Sequence, residues 1–327
     1  MSILSGADPQ CLAAAAAELA AGRLVAFPTE TVYGLGARAD DDAAVAGIFT
    51  AKGRPADHPL IVHLADAAAA GEFALPLGAA AQRLAAAFWP GPLTLIVPRK
   101  PGRGAAAAGG QDSIGLRVPA HPVALALLRE AARLGVPGVA GPSANRFGRV
   151  SPTAAAHVQD EFGETLTVLD GGRCSVGIES SIVDCTRPVP ALLRPGQLSR
   201  ATLEAALGQA LADPDAASPR ASGTLESHYA PAAGVHLFDA VALRHRLRSG
   251  VSPAGAGVGV YSRVALEAAP QWLNHRAMPS DAAAVAHELF AVLREFDEQG
   301  VAEIWVESPP PGPEWDGVRD RLQRAAA

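Results

Sequence analysis

Short apolar runs alternate with alanine-rich amphipathic segments along almost the whole chain, and no other feature restricts its fold as much. Leu24–Phe27, Leu60–Leu64, Leu93–Val97, Ile114–Val118, Gly138–Ala140, Leu166–Leu169, Ser181–Cys185 and Leu192–Arg194 have the length and composition of buried strands. Between them Leu12–Ala21, Asp42–Lys52, Ala79–Phe88, Pro122–Leu134 and Pro152–Phe162 keep a helical period. Ser151 is the expected N-cap of the last of these and Pro152 its first residue. Alternation of this kind predicts an α/β fold on one large, twisted, mixed sheet.

The composition shifts near residue 212, where "ADPDAASPRASGTLESHYAPAAG" reads as a linker. Beyond it, strands at Val235–Phe238, Val258–Tyr261 and Glu303–Val306 are separated by helices at Ala240–Leu247 and Asp281–Glu298. A closing helix around Trp315–Arg324 completes a smaller, Rossmann-like α/β unit. The expected organisation is a large domain over residues 1–208, a linker or lid over 209–234, and a small domain over 235–327.

At 327 residues and 49% hydrophobic content the chain can bury a sizeable core, and a net charge of −6 argues against a protein that coats nucleic acid. Three scattered cysteines without metal-ligand spacing fit a reduced, cytoplasmic setting. The start "MSILSGADPQ" lacks the pattern of a signal peptide, and the alanine-rich runs are broken by Glu, Arg or Gln before they reach the length of a membrane span.

The chemistry-bearing residues cluster where strands end. "FPTETVYGLG" puts two threonines, a glutamate, a tyrosine and two glycines directly after a buried strand. On the helix Asp42–Lys52, Val45, Ile48 and Phe49 form the apolar stripe, and Lys52 is the next position on it. Lys52 is therefore either a cation aimed into a crevice or a complement to the helix dipole; with Arg54 close behind, the first reading makes an anion site. In "SIGLRVP" the period of two gives Ile114, Leu116 and Val118 one face and Ser113, Gly115 and Arg117 the other. That second face is either solvated or a cleft wall whose guanidinium fork suits carboxylate or phosphate. "GPSAN" carries Ser143 and Asn145 at a strand exit, with an ordinary turn as the alternative. Ser180 and Arg194 hold similar positions, and His63 in "LIVHL" is either a ligand or a bonded core histidine. No P-loop occurs, and Gly34–Ala39 matches the dinucleotide fingerprint only weakly.

Taken in order, "FPTETVYGLG", "KGRPADHPLIVH", "WPGPLT", "SIGLRVP", "GPSAN", "SPT" and "GIESSIVD" resemble the YrdC-like family over about the first 200 residues. "SHYAP" and the extra α/β unit resemble its longer, two-domain threonylcarbamoyl-AMP synthases. The resemblance implies that L-threonine, bicarbonate and ATP, the last with Mg2+, give threonylcarbamoyl-adenylate and pyrophosphate. Downstream threonylcarbamoyl-transfer proteins of tRNA modification would be partners, with at most a weak tRNA contact and no membrane. It further implies that Thr31, His63, Arg117, Ser180 and the main chain of Gly141 bind threonine. Arg54, His58, Ser113, Ser143, Ser151, Arg194 and Tyr229 would bind ATP, and Lys52, Arg54, Ser143 and Asn145 form a basic–polar catalytic tetrad. Two other classes remain open on the sequence: an RNA-binding module with a basic concave face, and a nicotinamide-dependent oxidoreductase.

Overall fold

The structure is a computed structural model that describes residues 3–224, 228–249, 257–264 and 272–327. The chain opens with β1 (Ile3–Ser5), α1 (Pro9–Ala20), β2 (Val25–Phe27), β3 (Gly34–Arg38), α2 (Asp42–Lys52) and β4 (Ile61–His63). There follow α3 (Ala79–Phe88), β5 (Leu93–Pro98), β6 (Ser113–Arg117), α4 (Pro122–Arg133), β7 (Val139–Ala140) and α5 (Ala155–Phe162). β8 (Thr167–Asp170), β9 (Ser181–Asp184), β10 (Ala191–Arg194) and α6 (Arg200–Leu207) complete the first unit. Its strands form a 10-stranded sheet in the order β1-β8-β2-β3-β7-β4-β6-β5-β9-β10, with both parallel and antiparallel neighbours. A large mixed sheet is what the alternating pattern predicted.

Period two sorts the residues of β2 between the two faces. Ala26 joins a core with Val45, Ile48, Leu84 and Leu95, whereas Val25 and Phe27 join another with Leu19, Leu127 and Leu128. α2 has the ends expected of it: Asp41 accepts from Ala43 N and Ala44 N, and Gly53 turns left-handed at φ 63°.

The second unit contains β11 (Gly234–Phe238), α7 (Ala240–Arg248), β12 (Val258–Ser262), β13 (Leu273–Ala277), α8 (Ala282–Glu298), β14 (Glu303–Glu307) and α9 (Asp316–Ala325). Its 4-stranded sheet, ordered β11-β14-β12-β13, is parallel throughout. The two units share one core: Val32, Val150, Val176 and Ile178 of the first pack with Val285, Leu289, Phe290 and Val318 of the second.

Two local expectations fail for identifiable reasons. The helix predicted from Pro152 begins at Ala155, with Ala154 at its cap. Ser151 does not cap it, because its hydroxyl donates to Glu179 Oε1 at 2.5 Å. "GLGAR", expected as bare backbone after a strand, is itself β3, and a Cβ on Gly36 would stand 2.9 Å from the Phe27 ring and from a Val139 methyl. That glycine makes room for Phe27 rather than for a ligand. The Gly34–Ala39 match therefore starts on a strand instead of the strand-to-helix turn that holds a pyrophosphate, which removes the nicotinamide reading.

Candidate active site

The exits of several central strands converge on one cleft with about 470 Å3 of atom-free space, counting its open mouth. The segment after β2 supplies Thr29 and Thr31, the ends of β4 and β6 supply His63 and Arg117, and the exit of β7 supplies Gly141 and Ser143. Glu179, Ser180 and Arg194 come from the other side, with Arg54 from the end of α2. Ser222, Gly223, His228 and Tyr229 of the linker cover it.

The cations are buried inside the cleft rather than spread over an open face, which does not suit a surface that seats RNA. Arg117 forms an ion pair with Glu30 at 2.7 Å and donates to Thr31 Oγ1 at 2.9 Å and to Gly91 O at 3.2 Å. Arg194 donates to Ser180 O at 2.9 and 3.1 Å and to Ser222 O at 2.7 Å. Arg54 donates to Pro59 O at 3.0 Å, and its guanidinium lies 5.8 Å from the Phe147 ring centre. Among the described residues neither Arg54 nor Arg194 has a carboxylate partner. Burial lowers the Arg54 pKa to about 10 and the Arg194 pKa as well.

Among the described residues, Arg54 Nε, His63 Nδ1, His228 Nδ1 and Tyr229 Oη are buried polar atoms at this cleft without a hydrogen-bond partner. Burial and the nearby Arg117 lower the His63 pKa to about 3, so its ring is neutral at pH 7. Burial and Glu179 push the Tyr229 phenol up to about 12, so it keeps its proton. Tyr229 also has a left-handed backbone at φ 63°, uncommon for a residue with a side chain.

Nine of the residues expected from the sequence line this cleft: Thr31, Arg54, His63, Arg117, Gly141, Ser143, Ser180, Arg194 and Tyr229. His58 lines an adjoining cavity with Arg54, Phe147 and Gly223, and Ser113 lines another with Ile61, Arg220 and Ser222. Lys52, Asn145 and Ser151 do not line the cleft. Lys52 Nζ donates to the carbonyls of Ser143 (2.6 Å) and Asn145, and burial followed by Arg54 holds it well below its usual pKa. Lys52 is thus buried rather than exposed at the helix end, and it carries the "GPSAN" loop instead of opening onto the cleft. Asn145 Nδ2 donates to Arg146 O at 2.7 Å and Arg149 O at 2.9 Å, which fixes the same loop. Ser151 is tied to Glu179.

Sequence reasoning missed Glu30, Glu179, Ser222 and Gly223. Glu30 stands inside the first motif, whereas Glu179 is recognisable only through its partner Arg321, 142 positions later. The linker is held down at several points. Arg220 pairs with Asp57 at 2.8 Å, Gln111 Oε1 accepts from Arg220 N at 2.8 Å, and Ala230 N donates to Gly148 O at 2.9 Å.

Comparison with known proteins accords with this geometry. The Sua5–YciO–YrdC family profile, described as "Telomere recombination", matches residues 17–196. A second, described as "Threonylcarbamoyl-AMP synthase, C-terminal domain", matches residues 198–327. The chain is 38% identical to the threonylcarbamoyl-AMP synthase of Bacillus subtilis, over 99% of this chain and 94% of that protein. It is 37% identical to the Pyrococcus abyssi protein of the same name, over 93% and 91%. A solved structure of P. abyssi Sua5 complexed with L-threonine superposes with a TM-score of 0.89 at 34% identity, covering 100% of this chain and 98% of that one. The chain belongs to the two-domain Sua5 branch of the YrdC-like family.

Proposed function

We propose that this protein is an L-threonylcarbamoyladenylate synthase, which converts L-threonine, bicarbonate and ATP into threonylcarbamoyl-AMP and pyrophosphate. One observation carries the reading: Arg54 and Arg194 are buried in one cleft with only carbonyl and hydroxyl partners among the described residues. A buried charge without a counter-charge is costly, and a polyphosphate that enters between them removes the cost. The relatives' names and the threonine found in P. abyssi Sua5 supply the identity of the substrates.

In this reading threonine lies among Thr31, His63, Arg117, Gly141 and Ser180. Neutral His63 offers its unpartnered Nδ1, and Gly141, whose N–H already bonds Ile61 O at 2.8 Å, offers its carbonyl. ATP extends over Arg54, Ser143, Arg194 and Tyr229 and reaches His58 and Ser113 through the adjoining cavities. Lys52, Asn145 and Ser151 act one step back, by fixing Ser143 and Glu179. Magnesium belongs to the substrate as MgATP. Among the described residues no His, Cys, Asp and Glu cluster could hold a metal, and the carboxylates nearest the cleft, Glu30 and Glu179, are bound to arginines.

The threonine amine bonds to the carbon of bicarbonate as its C–OH bond breaks and water leaves with the amine proton; an oxygen of the resulting carbamate then bonds to the α-phosphorus as the bond to pyrophosphate breaks. The protein needs no covalent intermediate for this. It orients the two reactants and neutralises the charge that builds on the phosphates. Ser222, Gly223 and Tyr229 over the cleft keep water from the carbamate and disfavour its decay to carbon dioxide. The product feeds threonylcarbamoyladenosine synthesis on tRNA in the cytoplasm through separate transfer proteins. Three free cysteines suit that compartment, and no helix among the described residues is long and apolar enough to cross a membrane. Pyrophosphate release, measured with threonine, bicarbonate and ATP each omitted in turn, tests the proposal. Release at the full rate without threonine would overturn it.

A further inference from the structure

One of the side chains by which the C-terminal domain reaches the cleft wall is charged. Arg321 of α9 is 0% exposed. Its Nε donates to Glu179 Oε2 at 2.7 Å, its Nη2 to Glu179 O at 3.3 Å and its Nη1 to Pro195 O at 3.0 Å. Asp320 takes a further bond from Nη1 at 2.5 Å. The guanidinium also lies 5.2 Å from the centre of the Tyr229 ring, which stacks on Phe290 of α8 at 5.4 Å. Glu179 passes the connection on, since its other oxygen accepts from Ser151. One guanidinium from the second domain thus holds the residue before Ser180, the residue after Arg194, and the tyrosine of the linker.

The backbones around this contact leave no slack. A Cβ on Gly317 of α9 would stand 2.8 Å from Gly196 O, and one on Gly177 would stand 2.4 Å from Ala286 O of α8. The wall at residues 177, 178 and 196 is therefore pressed from behind by α8 and α9. A buried ion pair is weak evidence for stability as such, because apolar residues of similar volume often do as well. What it does supply here is position, shared among groups that all face the nucleotide end of the cleft.

We infer that Arg321 is a positioning residue for ATP, acting through Glu179, and that the C-terminal domain serves the reaction as the rigid backing of the nucleotide wall. This rests on the synthase reading above. It also separates the two ends of the cleft. Ser151, Arg194 and Tyr229 connect to Arg321 directly or through Glu179 and Pro195, whereas the Arg117 guanidinium bonds Glu30 and Thr31 instead, with Ser180, bonded by Arg194, between the two ends.

The test compares Arg321→Met, Arg321→Lys, Glu179→Gln and the Arg321→Met/Glu179→Gln double variant in the full-length protein. Steady-state kinetics are run with each substrate varied, alongside calorimetric binding of a non-hydrolysable ATP analogue. Arg321→Met should raise the ATP KM and weaken the analogue about tenfold or more, with the threonine KM within about twofold of the parent. Lysine should restore part of the loss. The double variant should be no worse than the poorer single one, because both act through one pair. If Arg321→Met does not fold, Arg321→Lys and Glu179→Gln carry the same comparison. A lower melting temperature with parental ATP KM and analogue affinity would overturn the inference and make the pair a fastening between domains. A parent protein that neither binds the analogue nor makes product would overturn the synthase reading itself, and this inference with it.

Discussion

Arg54→Met should make the free protein more stable and at the same time remove its response to ATP. Arg54 is 8% exposed, and burial lowers its pKa from 12.5 to about 10. A depressed pKa on a cationic group means that the fold disfavours the charge. At pH 7 the group is charged in both folded and unfolded chains, so the full penalty of about 3 kcal/mol applies across the working range. It fades only as the pH rises from about 10, where the folded group releases its proton, through the unfolded value. Methionine fills similar space without charge. Against the gain stand the Pro59 carbonyl, which loses its donor, and the contact with Phe147, together about 2 kcal/mol. The net expectation is a gain of about 1 kcal/mol, or about 2 °C in melting temperature. Thermal unfolding with and without MgATP checks both halves. The parent should be stabilised by the nucleotide and Arg54→Met should not, since loss of a buried cation from a phosphate site costs about 3 kcal/mol of binding. A variant that melts several degrees below the parent, or that still gains the parent's full shift from MgATP, would refute the idea that Arg54 is held in readiness for an anion.

Arg117→Lys keeps the charge but loses the fork that reaches Glu30, Thr31 and Gly91 together; it should raise the threonine KM about tenfold or more and leave the ATP KM nearly unchanged in steady-state kinetics. Gly223→Ala puts a methyl 2.4 Å from Tyr229 Oη and 2.7 Å from Arg194 Nη1 at a φ of 74°. It should loosen the linker, so that trypsin cuts after Arg220 faster than in the parent and synthesis falls; an unchanged cleavage rate would contradict the closed linker. His63 and His228 each have a pKa lowered to about 3 by burial. Their neutral forms favour folding, so stability is complete above pH 6.5 and falls by about 1.4 kcal/mol per pH unit per histidine as the pH drops towards 3. Urea midpoints between pH 7 and pH 4 should fall less steeply for His63→Gln than for the parent.

Local pattern makes part of this site readable from the sequence. In "SIGLRVP" a period of two is enough to put Arg117 on the face opposite Ile114 and Leu116, and the cleft lies on that face. It does not show that Ser113 ends in a different cavity. Four residues of strand span about 13 Å, so two groups on one face need not meet one ligand group. The helix Asp42–Lys52 is legible at both ends because its cap and its terminal glycine are local devices. Gly34–Arg38 is not, because glycine has no strand preference and β3 owes its place to pairing with β2 and β7. The false start of α5 has the same origin: a serine before a proline is a good cap until a distant carboxylate takes its hydroxyl. The Glu179–Arg321 pair spans two domains, and no spacing rule in one sequence reaches that far.

Carbon-13 bicarbonate gives the most direct test of the central claim. The purified protein is incubated with L-threonine, MgATP and labelled bicarbonate, and the adenylate is examined by mass spectrometry. The account predicts threonylcarbamoyl-AMP carrying one labelled carbon, formed together with one pyrophosphate and absent when threonine is withheld. Threonyl-AMP without the label, or ADP and phosphate in place of pyrophosphate, would contradict it.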